Sequence, residues 1–183
     1  MKNYKSLLLL TVLLLACSKS SVEKAKSVSP EDFLVKDNEI SGWSKAGTYW
    51  TAATAGDLST YINGAAVIYT SRGFVEGAEQ EYQGTILGGS VSVHVQIFDQ
   101  GLPENADAVM EEVYKGLISP AEWVDGPGER AVIERLPLAQ TILFQRARYY
   151  VKLDINDGSE EALNIIKAFA NNVNGKFTEA GIE

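Results

Sequence analysis

Residues 57–74, DLSTYINGAAVIYTSRGF, are the stretch around which the rest of the chain is organised. The apolar residues recur at the spacing of one helical face: Leu58, Tyr61, Ile62, Ala65, Ile68 and Tyr69. Asp57 can cap the first turn through its carboxylate, and Gly73 can end the helix in a left-handed conformation. The pattern predicts a helix that packs on a sheet and leads into a strand at Phe74.

Asn63-Gly64 is the unusual element of this helix. An Asn-Gly pair is typical of turns, and Gly inside a helix costs about 1 kcal/mol relative to Ala. One interpretation is that Gly64 lets the helix lie close against a strand; the other is that Asn63 and Gly64 belong to a binding site. At about 100° per residue, Asn63 points away from the apolar face, so it is either solvated or covered by another segment. We expect it to hydrogen-bond a neighbouring loop, such as the turn at residues 99–103.

The flanking segments predict an α+β fold in one domain, with a mainly antiparallel sheet packed against about three helices. Residues 91–97 alternate between apolar and polar side chains, which is typical of a half-buried strand. Further strands are predicted at 48–51, 74–82, 130–134, 139–145 and 149–155, and helices begin at Pro103 and after Ser159. Short connections between successive strands require antiparallel pairing. Glu76, Glu79 and Glu81 favour a solvated sheet edge for the second strand. Whether helices cover one face of the sheet or both stays open.

Three stretches resemble an uncharacterised family of exported bacterial domains: Tyr61-Ile62-Asn63-Gly64-Ala65-Ala66, residues 95–106 (VQIFDQGLPENA) and Arg148-Tyr149-Tyr150-Val151. The resemblance covers roughly residues 40–173. It departs from the family pattern at Asp107-Ala108, where Phe-Gly is usual, and at Arg146-Ala147, where Gly is frequent. The family is one of unknown function, so the resemblance implies export and an α+β domain but no activity.

The N-terminus has the features of a bacterial lipoprotein signal. Lys2 and Lys5 precede an apolar run, residues 7–15, that is shorter than the 20 or so residues of a membrane-spanning helix. Leu14-Leu15-Ala16-Cys17 looks like a lipobox, which predicts a signal peptide at 1–16 and a lipidated Cys17; an ordinary secretory peptide is the alternative. Residues 17–32 are then a Ser- and Lys-rich tether, and 33–183 form the domain.

The predicted location is the bacterial cell envelope, with a lipid anchor in the membrane. Ser18, rather than Asp, follows the Cys, and resemblance to enterobacterial lipoproteins then favours the outer membrane. Cys17 is the only Cys, so no intrachain disulfide can form. The chain has 16 basic and 24 acidic residues, and loss of Lys2 and Lys5 leaves 14 against 24, a net charge of −10. Such a charge repels phosphate backbones, so we expect an envelope protein or a small molecule as partner and no nucleic acid.

The sequence offers little catalytic chemistry. His94 is the only His and lies on the polar face of the strand at 91–97, where a solvated or hydrogen-bonded strand residue is expected. No Gly-rich loop precedes a helix, because Gly88-Gly89 leads into a strand. We therefore expect no metal, no cofactor and no catalytic set of residues.

Asp99 and Arg148 are the remaining candidates for a binding or structural role. Asp99 ends a strand just before a helix, where its carboxylate can accept backbone N–H bonds and set the turn at 101–103. Arg148 lies beside a predicted hairpin, either as a surface charge or as part of a sheet rim with Tyr149 and Tyr150.

Three functions stay open from the sequence. The first is a non-catalytic binding or interaction module of the envelope. The second is a carboxylate-based envelope hydrolase or lyase, which requires a cleft where Asp99 lies beside a second carboxylate or His94, with a raised pKa in one partner. The third is an assembly or structural lipoprotein, which requires an exposed apolar patch of several hundred Å².

Overall fold

A seven-stranded sheet organises residues 28–183, the part of the chain described by this computed structural model. Its spatial order is β1-β2-β3-β7-β6-β5-β4, and every neighbouring pair is antiparallel. The strands are β1 (Ser44–Ala52), β2 (Glu76–Ile86), β3 (Gly89–Asp99), β4 (Pro120–Glu122), β5 (Arg130–Leu136), β6 (Ala139–Arg146) and β7 (Tyr149–Ile155). The predicted α+β domain with a mainly antiparallel sheet is confirmed.

Four α-helices pack on this sheet within the described residues: α1 (Ala55–Ile62), α2 (Ala66–Thr70), α3 (Pro103–Tyr114) and α4 (Glu160–Glu179). Two 3-10 turns, Pro30–Phe33 and Asn63–Ala65, complete the secondary structure. The starts of the two longer helices follow the sequence signals. Pro103 occupies the first turn of α3, and the Ser159 hydroxyl caps α4 by accepting a hydrogen bond from Ala162 N at 3.1 Å.

Helices lie on both faces of the sheet, which the sequence had left open. The α4 face is covered by α4 and the Pro30–Phe33 turn, and it buries the odd-numbered residues of β3, such as Val93, Val95 and Ile97. The α3 face carries α1, α2 and α3 over a second apolar cluster that contains Phe98, Leu143 and Tyr150. Fully burying one such apolar side chain contributes about 1.5–3 kcal/mol, so both layers stabilise the sheet.

The α3 face is only half covered. Along β3, Phe98 lies beneath the stacked ring of Tyr69, 4.0 Å away between centroids. The preceding residues on the same face, Ser92, His94 and Gln96, belong to neither apolar cluster and are only partly buried. Polar side chains therefore occupy the open half of this face.

The predicted central helix is interrupted. It breaks at Asn63, whose φ of 50° and ψ of −132° are not helical, and continues through a 3-10 turn into α2. Thr54 rather than Asp57 caps α1, because the backbone N–H of Asp57 donates to the Thr54 hydroxyl at 3.1 Å. Gly73 has the predicted left-handed conformation, with φ of 81°. The turn tendency of Asn-Gly therefore outweighed the helical periodicity around it.

Two further expectations about the sheet are wrong. β2 is not a solvated edge, because β1 and β3 pair with it on either side and burial covers Glu79. The predicted set of strands also lacks one, because the segment after α3 contains the three-residue strand β4, which forms one edge of the sheet. A strand this short, with Pro120 at its start, has no detectable period of two.

Candidate functional site

Asp99 and Arg148, predicted separately, meet where β3 ends and β7 begins. Asp99 is 1% exposed, and its Oδ1 accepts a hydrogen bond from the Gly101 backbone N–H at 2.8 Å. Its Oδ2 lies 2.9 Å from the guanidinium of Arg148. Arg148 also donates to the Tyr149 hydroxyl at 3.1 Å. Both carboxylate oxygens of Asp99 are therefore occupied, and this corner ties the β3–α3 turn to β7.

Glu76 is the carboxylate that faces Asp99 across the β2–β3 pair. Burial, followed by the negative charge of Asp99, raises the pKa of Glu76. Glu76 also lines a small cavity of about 160 Å³ beside Glu31 and Thr51. A raised pKa next to a second carboxylate is one of the features that a carboxylate enzyme requires. Such an enzyme also requires a second group that is free to exchange a proton. Asp99 is not free, because its two carboxylate oxygens are bound by Gly101 and Arg148.

Asn63 and Gly64 do not join this corner. Gly64 is exposed, and a Cβ added there would meet no atom within 4 Å, so the prediction that it permits close packing on a strand is wrong. Asn63 is also exposed, and within residues 28–183 its side chain makes no hydrogen bond to the Asp99 turn. Asn105 performs that function instead, because its Nδ2 donates to Gln100 O at 2.9 Å. The expected contact therefore exists, but it comes from α3.

A network of charged and polar side chains occupies the open half of the α3 face. We call it the sheet-face network; its members are Glu79, Glu81, His94, Gln96, Lys152 and Asp154. The antiparallel register sets these side chains side by side, with Glu81 opposite His94 and His94 opposite Asp154. Asp154 accepts a hydrogen bond from the Thr141 hydroxyl at 2.7 Å and pairs with Lys152 at 2.7 Å. The network therefore links strands from β1 to β6.

Glu79 is the centre of the sheet-face network, with its side chain 7% exposed. It accepts hydrogen bonds from Trp50 Nε1 at 2.9 Å and Gln96 Nε2 at 2.7 Å, and its Oε1 lies 2.9 Å from His94 Nδ1. Burial alone would raise the pKa of Glu79, but the hydrogen bonds from His94 and Gln96 outweigh it and lower that pKa. The same contact with Glu79 raises the pKa of His94, against the effect of burial. Each partner thus stabilises the charged form of the other.

A groove lies on the opposite face of the sheet, at the β4 edge, between strands β4 and β5 and helix α4. We call it the Trp123 groove. It is a cavity of about 500 Å³, within the 300–1,000 Å³ or so that is typical of small-molecule sites. Its apolar lining comes from three separate parts of the chain: Ala121, Trp123 and Val124 from the β4 segment, Ile133 from β5 and Leu163 from α4.

The charges around the Trp123 groove are unevenly paired. Glu122 is bound by Arg130, with the shortest contact at 2.8 Å, and Arg135 pairs with Glu160 at 2.7 Å. Lys167 projects from α4, with its Nζ 5.2 Å from the centre of the Trp123 ring. Among the residues that the structure describes, no carboxylate pairs with it. Within the described residues, the ammonium of Lys167 thus contacts the face of a neutral aromatic ring and no carboxylate.

The loop that positions Trp123 is held by backbone contacts. Trp123 N donates to Ala131 O at 2.8 Å, and Glu129 N donates to Gln145 O at 2.9 Å. Gly128 has φ of 71°, and a Cβ there would lie 1.9 Å from Gln145 O, so only glycine fits. The Trp123 wall of the groove is therefore preformed.

Sequence reasoning identified Asp99 and Arg148 separately but not their contact, and it missed both the sheet-face network and the Trp123 groove. The network had a local signal in the alternation of Ser92, His94 and Gln96, yet its partners depend on strand order. The groove had almost no local signal in the sequence, because Ile133 and Leu163, which line it, are far apart along the chain. Its one local sign is Lys167, which follows Leu163 by one helical turn.

Three further features concern lipidation, metal ions and the membrane. Cys17, the predicted lipidation site, lies outside the described residues. Within residues 28–183 no group of three or more His, Cys, Asp or Glu side chains could hold a metal ion. In the same range, no helix is both long enough and apolar enough to cross a membrane.

Comparison with known proteins yields a structural likeness. No protein-family model matches the chain, and no curated protein matches it. The fold is similar to that in the crystal structure of the extracellular domain of PknH from Mycobacterium tuberculosis, with a TM-score of 0.48 and 11% sequence identity. The superposition covers 82% of this chain and 99% of that domain.

Proposed function

We propose that this chain is a lipid-anchored protein of the bacterial cell envelope whose domain binds a small molecule in the Trp123 groove. Anchoring would occur through Cys17, and the part of the predicted tether that precedes the Pro30–Phe33 turn would separate the domain from the membrane, since that turn packs on the sheet. The resemblance to exported bacterial domains and the lipobox-like Leu14-Leu15-Ala16-Cys17 support this location. The domain would then face the periplasm or the cell exterior, where a small ligand can reach it.

The observation that carries a binding function is the construction of the Trp123 groove. Apolar side chains from three chain segments line it, the loop holding Trp123 is fixed, and one partly buried cation lacks an anionic partner in the described chain. Ligand sites are typically concave, mostly apolar and preformed, with few polar groups that orient the ligand. The Trp123 groove has each of these properties.

The carboxylate-enzyme alternative is less well supported. Asp99, the residue proposed as acid or base, is 1% exposed and holds the Gly101 N–H and Arg148. Glu76 retains a raised pKa, but the partner with which it would exchange protons is occupied. A general acid or base must reach the proton that it transfers, and Asp99 lies too deep to do so.

The groove itself can be tested with a neutral reporter dye. Nile red, which fluoresces strongly in apolar surroundings, should bind wild-type protein lacking the signal peptide and the lipid. Ala121→Phe introduces a bulky ring into the groove from an exposed position of β4. We expect it to weaken dye binding by about tenfold, which corresponds to about 1.4 kcal/mol.

The matched control is Ala55→Phe, which introduces the same ring at the exposed start of α1. It should leave dye binding unchanged. If the dye does not bind, or binds all three proteins equally, the Trp123 groove is not a binding site and the proposal is wrong.

Anchoring is tested separately in cells. Cys17→Ser should release the protein from the membrane fraction, and the wild-type N-terminal peptide should carry an acyl mass that the variant lacks. An unmodified wild-type N-terminus would disprove the lipid anchor while leaving the groove proposal intact.

A further inference from the structure

We propose that the ligand of the Trp123 groove is an amphiphilic monocarboxylate, a molecule with an apolar body and one carboxylate. This inference rests on the proposed binding function and specifies the chemistry of the ligand. The apolar body would pack against Trp123, Ile133 and Leu163, and the carboxylate would accept a hydrogen bond from Lys167.

The position of Lys167 is the main argument. Its ammonium is partly buried and lies over the face of Trp123, 5.2 Å from the ring centre, rather than extended into solvent. An ammonium held beside apolar surface loses part of its hydration, and a ring face replaces only some of it. A carboxylate at the groove would supply the missing anionic acceptor. The resulting charge-assisted hydrogen bond is about twice as strong as a neutral one.

The other charges at the groove explain why a single negative charge fits best. The carboxylate of Glu122 is directed to Arg130, so it does not compete for Lys167. Arg135 is engaged by Glu160 on the exposed side, at 2.7 Å. Of the two cations that line the groove, Lys167 is therefore the one without a carboxylate partner in the described residues, and one anionic group balances it.

The charge of the whole protein disfavours larger anions. The chain carries a net charge of −8. A polyanion such as a nucleic acid, or an anionic membrane surface, would bring many negative charges close to the acidic residues around the groove. A small monoanion meets Lys167 locally and suffers little of this long-range repulsion, because charges more than about 8–10 Å apart are screened at physiological salt.

The test compares three ten-carbon compounds that differ only in the head group: decanoate, 1-decanol and decylamine. Each is titrated into unlipidated wild-type protein below the concentration at which it forms micelles. Calorimetry gives the affinity, and tryptophan fluorescence locates the site. Trp43 and Trp50 are buried, at 3% and 4% exposure, so a change in solvent quenching reports on Trp123.

We expect decanoate to bind about tenfold more tightly than decanol, with decylamine the weakest. Lys167→Met keeps a long apolar side chain but removes the charge. It should lower the affinity for decanoate about tenfold, to that of decanol, and leave decanol binding unchanged. Lys167→Arg should keep the preference for decanoate.

Lys115→Met is the matched control, because it removes one cation from a surface site where Lys115 pairs with Glu112 at 3.4 Å. It should change none of the three affinities. Equal binding of decanoate and decanol, tighter binding of decylamine, or an unchanged decanoate affinity in Lys167→Met would overturn the carboxylate inference. In each case Nile red binding would still support the groove as a site. Loss of all binding, including that of the dye, would instead overturn the proposed function.

Discussion

The sheet-face network and the Trp123 groove lie on opposite faces of one sheet and differ in how their charged groups are paired. In the network, the buried carboxylate of Glu79 is hydrogen-bonded by three side chains. In the groove, Lys167 lies against an aromatic ring and lacks an anionic partner in the described part of the chain. A polar group whose hydrogen bonds are all made within the protein contributes to the stability of the fold. A polar group at a cavity that lacks such a partner is available to a ligand.

Glu79→Ala should have the largest effect on folding. The substitution removes a carboxylate with only 7% of its side chain exposed and leaves Trp50 Nε1, Gln96 and His94 without their acceptor. The expected loss is about 3 kcal/mol in the free energy of unfolding, because the buried Trp50 Nε1–H cannot be resolvated and the partly buried Gln96 and His94 lose their acceptor. Urea unfolding followed by circular dichroism gives the value.

Glu122→Ala is the groove counterpart of this experiment. Its carboxylate is 52% exposed and binds Arg130 at the surface. Such a pair contributes less than about 1 kcal/mol. Comparable losses for the two variants would remove the distinction between a folding network and a binding groove.

Gly128→Ala should have the second largest effect, on the loop that shapes the groove. The new Cβ would clash with Gln145 O at 1.9 Å in a left-handed backbone that costs L-residues about 1–2 kcal/mol. We expect a loss of about 2–3 kcal/mol, together with weaker Nile red binding because Trp123 moves. Gly64→Ala is the matched control: a Cβ there meets nothing within 4 Å, so stability should be unchanged or slightly higher. A stable Gly128→Ala protein with normal dye binding would show that the loop is not preformed.

The parts of the fold that the sequence predicted correctly are those with strong local periodicity. β3 and α4 have an unbroken period over many residues, and Ser159 is a side-chain cap that acts within its own turn. The break at Asn63 was missed because helical periodicity and turn chemistry compete there, and only the packing of α2 decides between them.

Long-range features could not be predicted for a different reason. Asp99 was identified because its partner Gly101 is two residues away, but its bond to Arg148 depends on β7 pairing with β3. The Trp123 groove requires a loop, a strand and a helix to meet. No single segment of the sequence contains that information, and only the strand order supplies it.

The contact between Glu79 and His94 should make a small contribution to the pH dependence of stability. The pKa of Glu79 is lowered, so its contribution is present above the ordinary Glu pKa and is lost as the pH falls through the lower, folded-state pKa. The pKa of His94 is raised, so its contribution is complete below the ordinary His pKa, near 6.5, and is lost as the pH rises through the higher, folded-state pKa.

The two contributions overlap between about pH 4.5 and 6.5. The stability difference between wild type and His94→Gln should therefore be largest there and decrease at higher pH. It should stay below about 1 kcal/mol, because the His94 side chain is 38% exposed and solvent screens its charge. Unfolding midpoints in urea at a series of pH values test this, and a difference that grows above pH 7 would contradict it.

Lys167→Met should have the smallest effect on folding, and it bears most directly on the comparison. The lysine has no carboxylate partner in residues 28–183, and its contact with Trp123 is worth about 0.5–1 kcal/mol at a partly exposed site. Methionine keeps an apolar contact with the same ring, so the net change in unfolding free energy should stay within about 0.5 kcal/mol. If Lys167→Met instead lowers the free energy of unfolding by more than about 1.5 kcal/mol, the cation stabilises the fold just as the network does. The unpaired charge would then no longer point to a ligand. An unchanged stability, combined with loss of decanoate binding, would show that the two regions have different roles. Glu79 then stabilises the fold, and Lys167 binds the ligand of the groove.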